Sequence, residues 1–96
     1  MRNPLLPLTL LFLVAAAGAR AQEPCYADYK ASRGESLELQ YGVAQISGEC
    51  SVRAAERELR PRLAADGWQL LEVIATFGES GLGERRESAG EYFLRY

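Results

Sequence analysis

The rhythm of apolar and polar positions changes several times along this chain, and each change marks an element. From position 37, Leu37, Leu39, Tyr41 and Val43 alternate with Glu38, Gln40, Gly42 and Ala44, the period of a half-buried strand. That strand should run to about Ile46, where Ser47-Gly48 supplies a turn. Ser51 then offers an N-cap, and Val52, Ala55, Leu59 and Leu63 follow at steps of three or four, forming one apolar stripe along a helix. Arg53, Glu56, Arg57, Arg60 and Arg62 make its charged side. Gly67 directly after Asp66 is a left-handed stop. Pro61 conflicts with the pattern, because inside a helix it deletes a hydrogen bond and crowds the preceding turn. The expectation is a kink near Arg57 to Pro61, or two short helices meeting there.

Residues 68–77, Trp-Gln-Leu-Leu-Glu-Val-Ile-Ala-Thr-Phe, are apolar on both alternations and read as a central strand covered on both faces. Residues 78–90 are rich in glycine and charge, with Leu82 as the only sizeable apolar group, and read as a long exposed loop. Residues 91–96 place Tyr92, Leu94 and Tyr96 on one alternation, a final strand pairing antiparallel with the one before. Residues 22–36 are mostly polar, with Tyr26 and Tyr29 as their only large apolar groups, and read as a lead-in; the pattern leaves open whether residues 26–30 add a strand. The expected fold is α+β: one helix on a small, mainly antiparallel three-stranded sheet, in the order strand, helix, strand, strand.

The stretch Leu63-Ala64-Ala65-Asp66-Gly67-Trp68-Gln69-Leu70-Leu71-Glu72-Val73, with Tyr92-Phe93-Leu94-Arg95 closing the chain, resembles a family of short bacterial domains of unknown function. In that family a helix runs into a Leu-Gly-x-x-Gly-Trp-Glu-Leu junction, and the last strand reads Tyr-Phe-x-Lys-Arg. Gly67 and Trp68 match, whereas Ala64 stands at the family's glycine and Gln69 at its glutamate. The resemblance implies one helix on a small sheet and brings no activity with it.

The beginning of the chain changes the picture of where the protein works. Met1-Arg2-Asn3, an apolar stretch over residues 4–17 and then Gly18-Ala19-Arg20-Ala21 form the three regions of a secretory signal. Cleavage is expected between Ala21 and Gln22, making residues 1–21 the signal peptide and residues 22–96 one small domain, secreted or periplasmic. The uncharged interval between Arg2 and Arg20 holds Pro4 and Pro7 and falls short of the roughly 20 residues that a membrane span needs, so no stable anchor is expected after cleavage. Gln22-Glu23-Pro24 before Cys25 lacks the small apolar residues of a lipid-attachment signal.

The two cysteines, Cys25 and Cys50, both follow this leader, and an exported domain of about 75 residues commonly needs a covalent staple. A disulfide between them is therefore expected. The whole chain carries a net charge of −2, and the leader removes two arginines and no acid. An acidic remainder lacks the basic footprint of nucleic-acid binding.

Candidate chemistry is sparse. The chain has no histidine, so general acid–base work would fall to carboxylates or Lys30, and a serine nucleophile would lack its usual base. Glu84 and Glu87 lie in the glycine-rich segment, without the rigid support a catalytic pair requires. No catalytic, cofactor or metal site is expected. Trp68, placed after a helix stop, reads as core rather than as a ligand platform. Arg85 and Arg86 are the candidate contact residues, since adjacent guanidinium groups can grip an acidic partner. The expected role is a non-enzymatic binding module acting on another exported or envelope protein. The alternative is an inhibitor of a secreted or cell-wall hydrolase that inserts the 78–90 loop, and a third reading is self-association through an exposed sheet edge.

Overall fold

The structure, a computed structural model, describes residues 23–96; the signal peptide and the cleavage after Ala21 expected from the sequence lie outside them. Strands β1 (Cys25–Arg33), β2 (Glu38–Ile46) and β3 (Gln69–Phe77) form an antiparallel sheet in the order β2-β1-β3. Helix α1 (Val52–Ala64) connects β2 to β3, and a second, short helix α2 (Gly83–Ala89) lies between two 3-10 turns, Glu79–Gly81 and Gly90–Tyr92. The fold is α+β, as the pattern implies, but its order is strand, strand, helix, strand, helix.

The segment read as a lead-in is the central strand. Its small side chains explain why: Ala27 and Ala31, with Ala44 of β2 and Ala55 of α1, are fully buried and let the helix approach the sheet closely. Alanine favours strands poorly, so β1 owes its conformation to neighbours on both sides: it pairs with β2 from Cys25↔Ile46 to Arg33↔Glu38 and with β3 from Tyr26↔Phe77 to Ser32↔Gln69. Residues 68–77 do not make the central strand expected of them, because β3 is an edge. Two irregularities interrupt its register, between Asp28 and Tyr29 and between Lys30 and Ala31. Each leaves one β3 residue, Ile74 and Leu71, without a partner, so Leu70 and Val73 are buried three positions apart rather than two.

Helix α1 is one uninterrupted element with Pro61 inside its last turn, in place of two short helices. Ser51 caps its start by accepting the Ala54 N–H at 3.2 Å. Its end closes as the sequence suggests: Gly67 adopts φ +80°, its N–H donates to the Ala64 carbonyl, and the Trp68 N–H reaches back to Leu63 at 3.0 Å, the bonding of a Schellman stop. Ala55, Leu59 and Leu63 pack into the core with Trp68, Leu70 and Val73, whereas Val52 at the head of the stripe is exposed.

Residues 78–90 are not an open loop. They fold into the first 3-10 turn and α2, which lie across the sheet face opposite α1, where Leu82, Ala89 and Phe93 cluster with Tyr26, Tyr41, Val43 and Phe77. This strap carries the chain from the β3 edge to the β2 edge, so residues 91–96 cannot pair antiparallel with β3. They meet β2 instead: Phe93 bridges Val43 in the parallel sense, and the Leu94 N–H donates to the Val43 carbonyl at 2.8 Å. Tyr92 and Tyr96 turn onto the α1 side of the core, while Leu94 takes φ +58° and points outward.

A Cys25–Cys50 disulfide joins the first residue of the central strand to the turn before α1, with the Cα atoms 5.8 Å apart. Such a bond belongs to an oxidising, non-cytoplasmic setting. Among the described residues no helix is long and apolar enough to cross a membrane.

Candidate functional site

The second sheet face, away from α1, holds a buried, hydrogen-bonded polar cluster beside the most exposed large apolar side chain among the described residues, Leu39. Asp28 projects from β1 onto this face and is buried. Its Oδ2 accepts the Tyr41 hydroxyl at 2.8 Å and Arg85 Nε at 3.0 Å, and its Oδ1 accepts the Ala75 N–H at 3.0 Å, beside the first β3 irregularity. Arg85 reaches inward with its guanidinium 3.8 Å from the Phe77 ring centroid, and its Nη1 donates to the Gly81 carbonyl at 2.8 Å. Burial, then the hydrogen bond to Asp28, pushes the Tyr41 hydroxyl up to about 12. The hydrogen bond that Arg85 itself donates to Asp28 raises the guanidinium further above its already high value. The carboxylate is met by three donors, so the cluster is a satisfied ion pair that pins α2 to the sheet.

The two arginines singled out as a contact pair therefore part company. Arg85 is committed to Asp28 inside the fold. Arg86 is exposed, with its guanidinium 4.4 Å from the Phe93 ring centroid.

α2 and its turns cover only one end of this face. Over the other end lies a shallow groove of about 250 Å³ lined by Lys30, Ala31, Leu39, Gln40, Tyr41 and Leu71. Leu39 is 71% exposed, Leu37 66%, Leu71 51% and Ile74 44%. Three of these four follow from backbone irregularity: Leu71 and Ile74 are the unpaired residues of β3, and Leu37 sits in the β1–β2 turn at φ +55°, a region that a leucine enters only at a cost. The β2 alternation is thus the reverse of the simplest reading. Gln40, Gly42, Ala44 and Ile46 are buried on the α1 side with Tyr29, whose hydroxyl donates to Gln40 Oε1 at 2.7 Å. The more apolar phase, Leu39, Tyr41 and Val43, faces the other way and is covered fully at Val43, partly at Tyr41 and not at Leu39.

A second, polar cleft of about 490 Å³ opens between α1, the end of β2 and the C-terminal residues, lined by Gln45, Ser47, Glu58, Arg62, Leu94 and Tyr96. Its charged groups are occupied with holding the chain together. Glu58 accepts the Ser47 and Gly48 N–H groups at 3.0 and 3.1 Å and the Ser47 hydroxyl at 2.8 Å. Arg62 Nη1 donates to Glu58 at 2.8 Å and to the Gln45 carbonyl at 3.0 Å, and Nη2 bonds the Tyr96 backbone oxygen. Burial pulls the Glu58 carboxyl upward, but the donors from Ser47, Gly48 and Arg62 outweigh it and hold it below the ordinary range.

Trp68 is buried at the base of an aromatic corner, with Arg33 4.1 Å from its ring centroid and Tyr92 edge-on at 5.7 Å. Its ring packs in the core and presents no open platform. Among the described residues, no group of three or more Asp, Glu, Cys or His is placed to hold a metal ion.

Sequence reasoning missed Asp28, Tyr41 and Glu58. The usable signal for Asp28 was a lone acid between Ala27 and Tyr29, in a run otherwise small or aromatic. Glu58 carried none, because an acid on the polar side of a helix looks the same whether or not it reaches a turn. Comparison of the chain with protein-family models, curated proteins and solved structures finds no match in any of the three.

Proposed function

We propose that this chain is an exported, non-enzymatic interaction module whose docking surface is the open end of the second sheet face. One observation carries the reading: Leu39 and Leu71, which line the open groove, and Leu37 in the adjoining turn are held in water, while at the strapped end Asp28 is buried and Arg85 partly so. Exposed aliphatic side chains contribute nothing to folding, and grouped ones mark surfaces that meet a partner. The polar groups best placed for chemistry are instead consumed in internal bonds, Asp28 with Arg85 and Tyr41, Glu58 with Arg62 and Ser47. The leader pattern and the disulfide support action outside the cytoplasm, where the partner is an exported or envelope protein, a further copy of this chain included. Inhibition through residues 78–90 loses its support, since that segment is a helix pinned to the sheet rather than a free inserting loop.

The test is capture from the exported fraction with the wild-type protein and with a Leu39→Ser, Leu71→Ser variant. Both positions are exposed, so the variant should keep the wild-type melting temperature. Capture of one exported or envelope protein by the wild type, lost in the variant, is expected. Equal capture by both would place the docking surface elsewhere.

A further inference from the structure

We infer that the occupant of this groove is a second copy of the chain, seated about a two-fold axis that runs across the strands at the Ser32–Leu39 pair. The inference rests on the docking reading above and names its partner.

The strap decides which arrangements are sterically open. The 3-10 turn and α2 stand proud of the sheet by roughly the diameter of a helix at the Tyr26–Phe77 end, and the Lys30–Leu39 end is bare. Two such faces can meet only if each strap clears the end of the other sheet. A two-fold axis across the strands does this, because it reverses strand direction and sends the two straps to opposite ends.

With the axis at Ser32↔Leu39, the register fixes what meets what. Leu39 lies on the axis and faces its own counterpart. Leu37, two positions towards the turn and 66% exposed, lies over Tyr41 of the second copy, two positions away from it, so that an apolar side chain the fold leaves in water gains an apolar partner. Lys30, two residues before Ser32, comes over the turn of the second copy at Gly34 and Glu35. Lys30 and Glu35 are both exposed, and neither is in an ion pair among the described residues. The patch therefore carries a cation at one end and an anion at the other, the self-complementarity an isologous interface requires. Edge-to-edge pairing through β3 is a poorer route, because two irregularities in one edge strand disturb the row of groups that a new strand would need.

The experiment uses purified, disulfide-bonded protein in analytical ultracentrifugation over a dilution series. Wild type should show a concentration-dependent dimer. Leu39→Glu and Leu39→Lys each place like charges together on the axis and should be monomeric with unchanged melting temperatures, and mixing the two should restore a dimer containing one of each. Lys30→Glu alone and Glu35→Lys alone should raise the dissociation constant about tenfold or more, and the two together should recover most of it. A wild type that is monomeric at every concentration overturns the inference, and so does a dimer indifferent to Leu39 or a mixture of Leu39 variants that stays monomeric. Monomeric wild type that still captures a different exported protein, in a manner lost with Leu39→Ser, Leu71→Ser, removes the second copy and leaves the docking surface standing. Monomeric wild type with no such capture removes both.

Discussion

At position 42 a single hydrogen atom is all that the chain can carry. The Tyr29 ring lies across Gly42, and a Cβ there would stand 2.6 Å from Tyr29 Cζ and 2.9 Å from Gln40 Oε1. Tyr29 is fully buried and its hydroxyl is tied to Gln40, so Gly42→Ala is an overpacking change expected to cost about 1–3 kcal/mol. Chemical denaturation checks this, and an unshifted midpoint would show that the ring can move. Trp68 gives the opposite test. It is 2% exposed between Leu63 of the helix stop and the edge of Tyr92, so Trp68→Ala should lower stability by about 3–5 kcal/mol, with native emission at short wavelength. Emission like that of free tryptophan, together with an unchanged midpoint, would overturn the core placement. Trp68 was legible in the sequence because an aromatic after a helix-stopping glycine has few places to go. Gly42 was not, since its need arises from a ring that only pairing with β1 brings above it.

Among the elements, α2 depends most on one contact. Removing the Arg85 guanidinium leaves Asp28 buried with Tyr41 and the Ala75 N–H but without its countercharge. Arg85→Ala should therefore cost about 3 kcal/mol, the lower part of the range for breaking a buried pair, and should raise hydrogen exchange across residues 79–92 before the rest of the chain. Arg86→Ala, which removes only an exposed stacking contact, should change the melting temperature little. If the two substitutions were equivalent, the Asp28 pin would be idle. The turn between β2 and α1 answers to pH instead. The Glu58 carboxyl is held below its ordinary value, so its contribution is complete above the unfolded glutamate range and is lost as pH falls through the lower, folded-state value. Glu58→Gln should flatten the acid limb of the stability curve and destabilise at neutral pH, as unfolding curves at several pH values will show. Helix α1, its cap at Ser51 and its stop at Gly67 were legible because they are set within a few residues. α2 was not: its seven residues are too few to hold a helix alone, and it forms because Leu82, Arg85 and Ala89 find the sheet.

For the molecule as a whole, the disulfide joins residues 25 positions apart and so constrains the unfolded chain across both β1 and β2. Replacing Cys25 and Cys50 by serine should remove about 3.5 kcal/mol on the loop-entropy account, a large share of what a domain this small can hold. Thermal unfolding with and without reductant measures it, and identical curves would mean that the bridge is absent in solution or contributes nothing.

Taken alone, the sequence determined what local chemistry determines. The alternation of residues 37–46, the stripe and caps of α1, the helix-stopping glycine before Trp68 and the pairing expected of two cysteines behind a leader-like segment all depend on neighbours along the chain or on simple counting. Tertiary structure alone decided which strand is central, which alternation of β2 faces α1, and that residues 78–92 cross the second face. The physical reason is the same in each case. A strand of alanine, serine and tyrosine is stable only when covered on both sides, a face is buried only if something lies over it, and a seven-residue helix persists only where it is pinned. Leu39 lies where these two kinds of information part: the sequence writes it as a core position, and the fold leaves it in water.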